Sequence, residues 1–314
     1  MADETNVDTN PGLKIDLAAG RRAFLQAAGL GAVTAALVAA AKADAATPDL
    51  DVEILTFALN LEYLEAEYYL SCANGKGLSN DLVQGTGTFG ATKGGRAVPF
   101  TNPIVRDYAF EIASDELGHV AFLRSTLGSR AIAKPAIDLS VGGAFSTAAR
   151  AAGIVGPNGR FDPYADDMSF LLGAYLFADN GVAAYNGAAP LLTNKTYLAA
   201  AAGILAVEGY HAGLIRTFLF AQQNSFSTKA TALISALRAS LSGNNDDQGI
   251  GANQSTLAGG PRTPANIVPT DANSIAFPRT PRQVANVVLG APGASAGLFY
   301  PNGPNGDLAT LLSL

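Results

Sequence analysis

The chain has 314 residues, 48% of them hydrophobic, which is enough for one sizeable core. A net charge of -6 with no run of Lys or Arg excludes the electrostatic footprint of a nucleic-acid or anionic-membrane partner. The single cysteine, Cys72, excludes an intrachain disulfide and multi-cysteine zinc sites, and reads as a thiol tucked at the end of a helix.

Arg21-Arg22-Ala23-Phe24-Leu25-Gln26 opens an Ala/Leu/Gly/Val run that stays uncharged from Ala23 to Ala41 and ends in Ala-Lys-Ala-Asp-Ala-Ala. A charged start, an apolar middle and a small-residue cleavage zone are the three parts of a secretory signal. The run is marginal against the ~20 strongly apolar residues that a spanning helix requires. Residues 1–46 are therefore read as a signal peptide cut after Ala43 or Ala45. The paired arginines with Phe24 and Leu25 resemble the twin-arginine motif. That resemblance implies passage through the twin-arginine export machinery in the folded state, to the periplasm or beyond the cell.

Residues 50–70 carry helical periodicity, with Leu55, Leu59, Glu62, Ala66 and Tyr69 on one face. Residues 71–102 are rich in glycine and small polar residues and read as a long loop or lid. A second helix is predicted from Pro103 to about Leu127, capped by Asn102. Residues 128–164 are mixed. Further helices are predicted over Ala165–Tyr185, Thr196–Gln223 and Thr228–Leu241, which places a bundle within 47–241. From Ser242 to Leu314 the chain turns rich in Gly, Asn and Pro, with one short helix at 281–289 set by Thr280, Pro281 and Gly290. Val268, Ile275, Phe277, Val287, Val288, Leu289, Leu298, Phe299 and Tyr300 give this extension apolar groups to bury, so it is expected to wrap over the bundle.

Both histidines of the chain follow a glutamate by three residues, in Glu116-Leu117-Gly118-His119 and Glu208-Gly209-Tyr210-His211. With eight glutamates in 314 residues, chance seldom produces that spacing twice. Positions i and i+3 share a helix face, so each pair presents a carboxylate and an imidazole together. Each lies in line with apolar neighbours: Ile112, Val120 and Leu123 for the first, Ile204, Ala212 and Ile215 for the second. Charged groups on an apolar stripe are costly to bury unless paired or bound to metal.

A two-metal carboxylate site in a helical bundle also needs one carboxylate from each of the other two helices. The first helix offers Glu62, Glu65 and Glu67. The third has no glutamate, and Asp179, on a face with Leu172, Tyr175, Val182 and Asn186, is the substitute, one methylene shorter. The alternative is a site short of one carboxylate, with Glu65 compensating or one metal position weak. Asn60-Leu61-Glu62 followed by Tyr69 resembles the first helix of ferritins. By that resemblance Glu62 is a ligand and Tyr69 hydrogen-bonds behind the ligands; Glu65, on nearly the same helix face, is the reserve ligand, and Glu67, which points elsewhere, is expected to be solvated or in a salt bridge.

Residues 59–69, Gly181 to Pro190, Arg279 to Val284 and Phe299 to Gly303 together are similar to the ferritin-like family that includes desiccation-related proteins of plants and exported bacterial relatives. The resemblance implies an all-α, ferritin-like antiparallel four-helix bundle. The two Glu-x-x-His pairs and the acids of the other helices give the expected metal ligands, Glu62, Glu116, His119, Glu208 and His211, completed by Asp179 or Glu65, for two iron or manganese ions per chain. Two functions fit. One is a redox enzyme acting on dioxygen, peroxide or ferrous iron, catalase-like or ferroxidase-like. The other is a non-enzymatic envelope scaffold protecting against drying, with a vestigial site. Self-association is compatible with either, and stable membrane insertion after cleavage is not expected.

Overall fold

The computed structural model describes residues 49–251 and 265–314. The export segment with Arg21 and Arg22 lies outside the described residues. Four long helices form the core: α1 (Asp49–Asn74), α2 (Pro103–Leu127), α4 (Asp167–Ala188) and α5 (Lys195–Ala221). They pack pairwise, α1 against α2 and α4 against α5, as in a bundle. Shorter helices α3 (Ser146–Ala152), α6 (Ser225–Ser242) and α7 (Pro281–Leu289) flank them.

The helix ends are set by local chemistry. Asn102, Asp166, Asn194 and Asn224 each stand just before a helix and accept from its first free backbone amides. Because Asn224 caps α6, that helix starts three residues before its predicted first residue, Thr228. Thr280 and Gln283 form a reciprocal capping box at α7, with Pro281 at its first position and Gly290 in the left-handed conformation at its end.

The segment expected to be a plain loop contains a short strand, β1 (Thr92–Gly94), paired in parallel with β2 (Ile137–Leu139). Its partner lies 45 residues away in register, Thr92 opposite Ile137, so local composition gave no sign of it. The Lys134 ammonium ties this segment down by donating to Thr92 Oγ1 and the Gly90 carbonyl. It also faces Glu67 Oε1 at 3.7 Å, which makes Glu67 a buried ion-pair partner and not a solvated group.

Residues 265–314 pack on the bundle. The Arg279 amide donates to the Ala183 carbonyl and Asn186 Nδ2 to the Ala276 carbonyl. Gly187 permits this approach, since a Cβ there would overlap the Arg279 carbonyl. Further on, Phe299 packs edge-on against Phe177, and the Tyr300 hydroxyl donates to the Asn60 carbonyl at 2.7 Å. The Gly181–Pro190 and Arg279–Val284 motifs thus meet each other. Two residues expected to be buried are not: Val268 is 71% exposed and Ile275 59%.

Candidate metal centre

Glu62 and Glu65 on α1, Glu116 and His119 on α2, and Glu208 and His211 on α5 are all buried in the bundle core. One ligand atom from each of Glu62, Glu116, His119 and Glu208 lies within 4.8 Å of the others, so these four could hold a metal ion. His119 Nδ1 is the hub, 3.2 Å from Glu62 Oε2, 3.3 Å from Glu116 Oε2 and 4.0 Å from Glu208 Oε1. Glu116 turns its other oxygen to the second imidazole, with Oε1 3.1 Å from His211 Nδ1. That contact lacks hydrogen-bond alignment, and both atoms are left without a hydrogen-bond partner. The imidazole rings stand 6.3 Å apart, one on each side of the Glu116 carboxylate.

Two further groups orient the cluster. His211 Nε2 meets Asp115 Oδ2 at 3.1 Å, an acid whose side chain is 41% exposed. A carboxylate on the outer nitrogen fixes the ring and leaves Nδ1 turned inward. The Tyr185 hydroxyl on α4 donates to Glu62 Oε1 at 2.5 Å.

The charges are strained without a cation. Burial pushes the Glu62 carboxyl up to about 7, against the pull of His119. Burial, reinforced by neighbouring carboxylates, raises Glu65 and Glu208 well above the usual range. Glu116 goes the other way: burial opposes it, but the two imidazoles hold it below the usual range. Burial also disfavours imidazolium, yet the acids prevail. His119 is pushed up to about 12 by Glu62 and Glu116, and His211 to about 9 by Asp115 and Glu116.

Asp179, expected to be the fourth carboxylate, is elsewhere. Its Oδ2 accepts from Arg216 Nη1 at 2.7 Å and Arg238 Nη2 at 2.8 Å, and two guanidinium groups leave it no role in the cluster. Tyr69, expected to hydrogen-bond behind the ligands, is buried near enough to Glu65, Glu116 and Glu208 to feel their charge, but its hydroxyl has no partner. Tyr185 does that work instead. Asp115 and Tyr185 were both missed. Asp115 is the residue before Glu116, turned about 100° round the helix toward α5. Tyr185 lies four residues after Gly181 inside a motif singled out only for its likeness.

The donor set fits a metal. Buried Glu65 Oε2 and Glu208 Oε2 have no hydrogen-bond partner, Glu116 Oε1 and His211 Nδ1 have only their unaligned mutual contact, and a buried group left unsatisfied costs about 1–3 kcal/mol. Mixed carboxylate and imidazole donors suit iron or manganese.

A helical bundle with a carboxylate–histidine cluster at its centre, two of whose helices each give a Glu-x-x-His pair, defines the class of ferritin-like proteins. Residues 50–221 match the family model of the ferritin-like domain, and the chain belongs to that family. It is similar to the desiccation-related protein PCC13-62 of Craterostigma plantagineum, at 32% identity over 277 residues, covering 84% of this chain and 86% of the relative. It is also similar to the ferritin-like catalase Nec2 of Nesocodon mauritianus, at 32% identity over 277 residues, covering 83% and 85%. No solved structure matches the chain.

Proposed function

We propose that this protein is an exported two-metal carboxylate oxidoreductase that acts on hydrogen peroxide, converting two peroxide molecules into dioxygen and two waters. The observation that carries the reading is the placement of Glu116, one carboxylate oxygen toward His119 and the other toward His211. A carboxylate so placed can bridge two ions, each with its own imidazole. Glu62, Glu116, His119, Glu208 and His211 would hold them. A redox-active pair of iron or manganese ions would supply the exchange of electrons with peroxide.

The protein's own groups set the conditions. Asp115 orients His211 through Nε2, and Tyr185 fixes Glu62 through Oε1. The most open member of the cluster, His119, has only 11% of its side chain exposed, so the site is largely shielded from solvent. Similarity to a protein named as a ferritin-like catalase supports the choice of peroxide over ferrous iron. Dioxygen release from peroxide by the manganese- or iron-loaded protein tests it, and a loaded protein without that activity would remove the peroxide assignment.

Similarity to a desiccation-related protein favours a second reading, an envelope scaffold that keeps the bundle for protection. That reading expects full protective function after the cluster is emptied. Export is proposed from Arg21 and Arg22: replacing both with lysine should trap the precursor in the cytoplasm, and normal export of that variant would sink the twin-arginine route.

A further inference from the structure

Helix α4 brings no acid to the cluster, whereas α1 brings two. Glu65 lies one helical turn after Glu62, on nearly the same face, and only 7% of it is exposed. Its Oε2 is buried with no hydrogen-bond partner. On the opposite side stands Gly181 of α4. A Cβ built there would lie 2.5 Å from Glu208 Oε2 and 3.3 Å from Glu65 Oε1. The bare backbone at 181 is therefore the wall against which both carboxylates rest. Glycine is among the poorest helix formers, so its presence in mid-helix calls for such a reason.

We propose that Glu65 is the fourth carboxylate ligand of the metal pair, and that Gly181 is the position that makes room for it. The centre then takes two carboxylates from α1 and none from α4. This rests on the two-metal reading above. Charge supports it independently of geometry. Glu62, Glu116 and Glu208 bring three negative charges, and two divalent ions bring four positive ones. With neutral imidazoles, a buried positive charge would be left over, which a low-dielectric core disfavours. Counted over the fully buried groups, Glu65 closes that balance; Asp115 behind His211, with 41% of its side chain exposed, is solvated and stands outside the count. The acid that α4 does carry near this level, Asp179, is already neutralised by Arg216 and Arg238.

The test uses the full chain, stripped of metal by chelation and titrated with Mn(II), with bound metal counted by elemental analysis after gel filtration. Glu65→Gln and Gly181→Ala are compared with wild type and with Asp107→Asn, an exposed control. Wild type and the control should hold two equivalents. Glu65→Gln should fold, hold the second ion at least tenfold more weakly, and unfold at a higher temperature than wild type when both are metal-free, because one buried acid is gone. Gly181→Ala should weaken binding as well, since its methyl group displaces Glu208. Two equivalents held by Glu65→Gln as tightly as by wild type would overturn the inference and leave the two-metal reading standing. A Glu65→Gln chain that unfolds without metal would overturn it too, marking Glu65 as structural. Wild-type affinity in Gly181→Ala would overturn the role of Gly181. Absence of binding in wild type would remove the two-metal reading and this inference together.

Discussion

Two clusters of buried charge flank α4, reached from positions only two residues apart. Around Asp179, the buried guanidinium groups of Arg216, Arg238 and Arg279 meet the carboxylates of Asp179, Asp246 and Asp247. Tyr175, Asn180, Gln248 and Asn266 accept further hydrogen bonds from these guanidinium groups, so each of their nitrogens has a partner among the protein's own groups. Around Gly181 the cluster of Glu62, Glu65, Glu116 and Glu208 has no arginine or lysine among its charge partners. Among the described residues its cationic partners are two imidazoles, and several of its oxygens have no hydrogen-bond partner. One core thus contains a charge cluster closed by the protein's own cations and one whose carboxylates could hold a metal ion. Stability alone explains the first and not the second.

The largest effect should come from breaking the complete network. Arg238→Met leaves Asp179 and Asp247 with one guanidinium fewer in the core, and the expected loss is about 3–5 kcal/mol of unfolding free energy, the same with or without metal. Denaturant unfolding checks it. The open cluster should respond in the opposite manner, with little intrinsic stability and a large gain on metal addition. Manganese at a thousandfold excess over its Kd should add roughly 4 kcal/mol, and His119→Ala should abolish that increment while Arg238→Met keeps it.

The difference between the clusters can be read in the sequence only in part. The Glu-x-x-His spacing was legible because helix geometry is local, and so were the caps at Asn102 and Thr280. The assignment of Asp179 failed because it depends on Arg216 and Arg238, which reach it from 37 and 59 residues away. No periodicity encodes which acid an arginine will choose. Glu65 was legible as a surplus acid on the correct face, but its place in the site depends on the absence of a side chain at Gly181. Val268 and Ile275 show the same limit from the apolar side: hydrophobic composition in the extension did not tell which residues reach the bundle.

The pH dependence sharpens the comparison further. In the metal-free protein the carboxyls of Glu62, Glu65 and Glu208 are raised, so above about pH 4.5 the folded chain keeps protons that the unfolded chain releases. The raised imidazoles act in the same sense: their contribution is full below pH 6.5 and is lost as pH rises through about 9 for His211 and about 12 for His119. Stability of the metal-free chain should therefore fall from pH 5 to pH 9, by about 1.4 kcal/mol per pH unit for each extra proton held by the folded state. With manganese bound, stability should instead rise with pH up to about 6.5, where the unfolded imidazoles release their protons, and level off above that, because the ligands must be deprotonated to bind metal. Thermal melts across that range, with and without manganese, measure both slopes.

A smaller effect is expected at the rim. Asp115→Asn keeps the size of the group behind His211 but removes its charge. It should weaken metal binding about tenfold, or ~1.4 kcal/mol, with the bundle otherwise unchanged. Isothermal titration with Mn(II) reads it directly.

The most direct test of the central claim is elemental analysis of the unmodified protein, purified from its own host without chelators. The expected result is two equivalents of iron or manganese per chain, falling in His119→Ala and His211→Ala and unchanged in Asp107→Asn. A chain that holds neither metal, and whose unfolding temperature does not move when manganese is added, would contradict the account and leave the scaffold as the better reading.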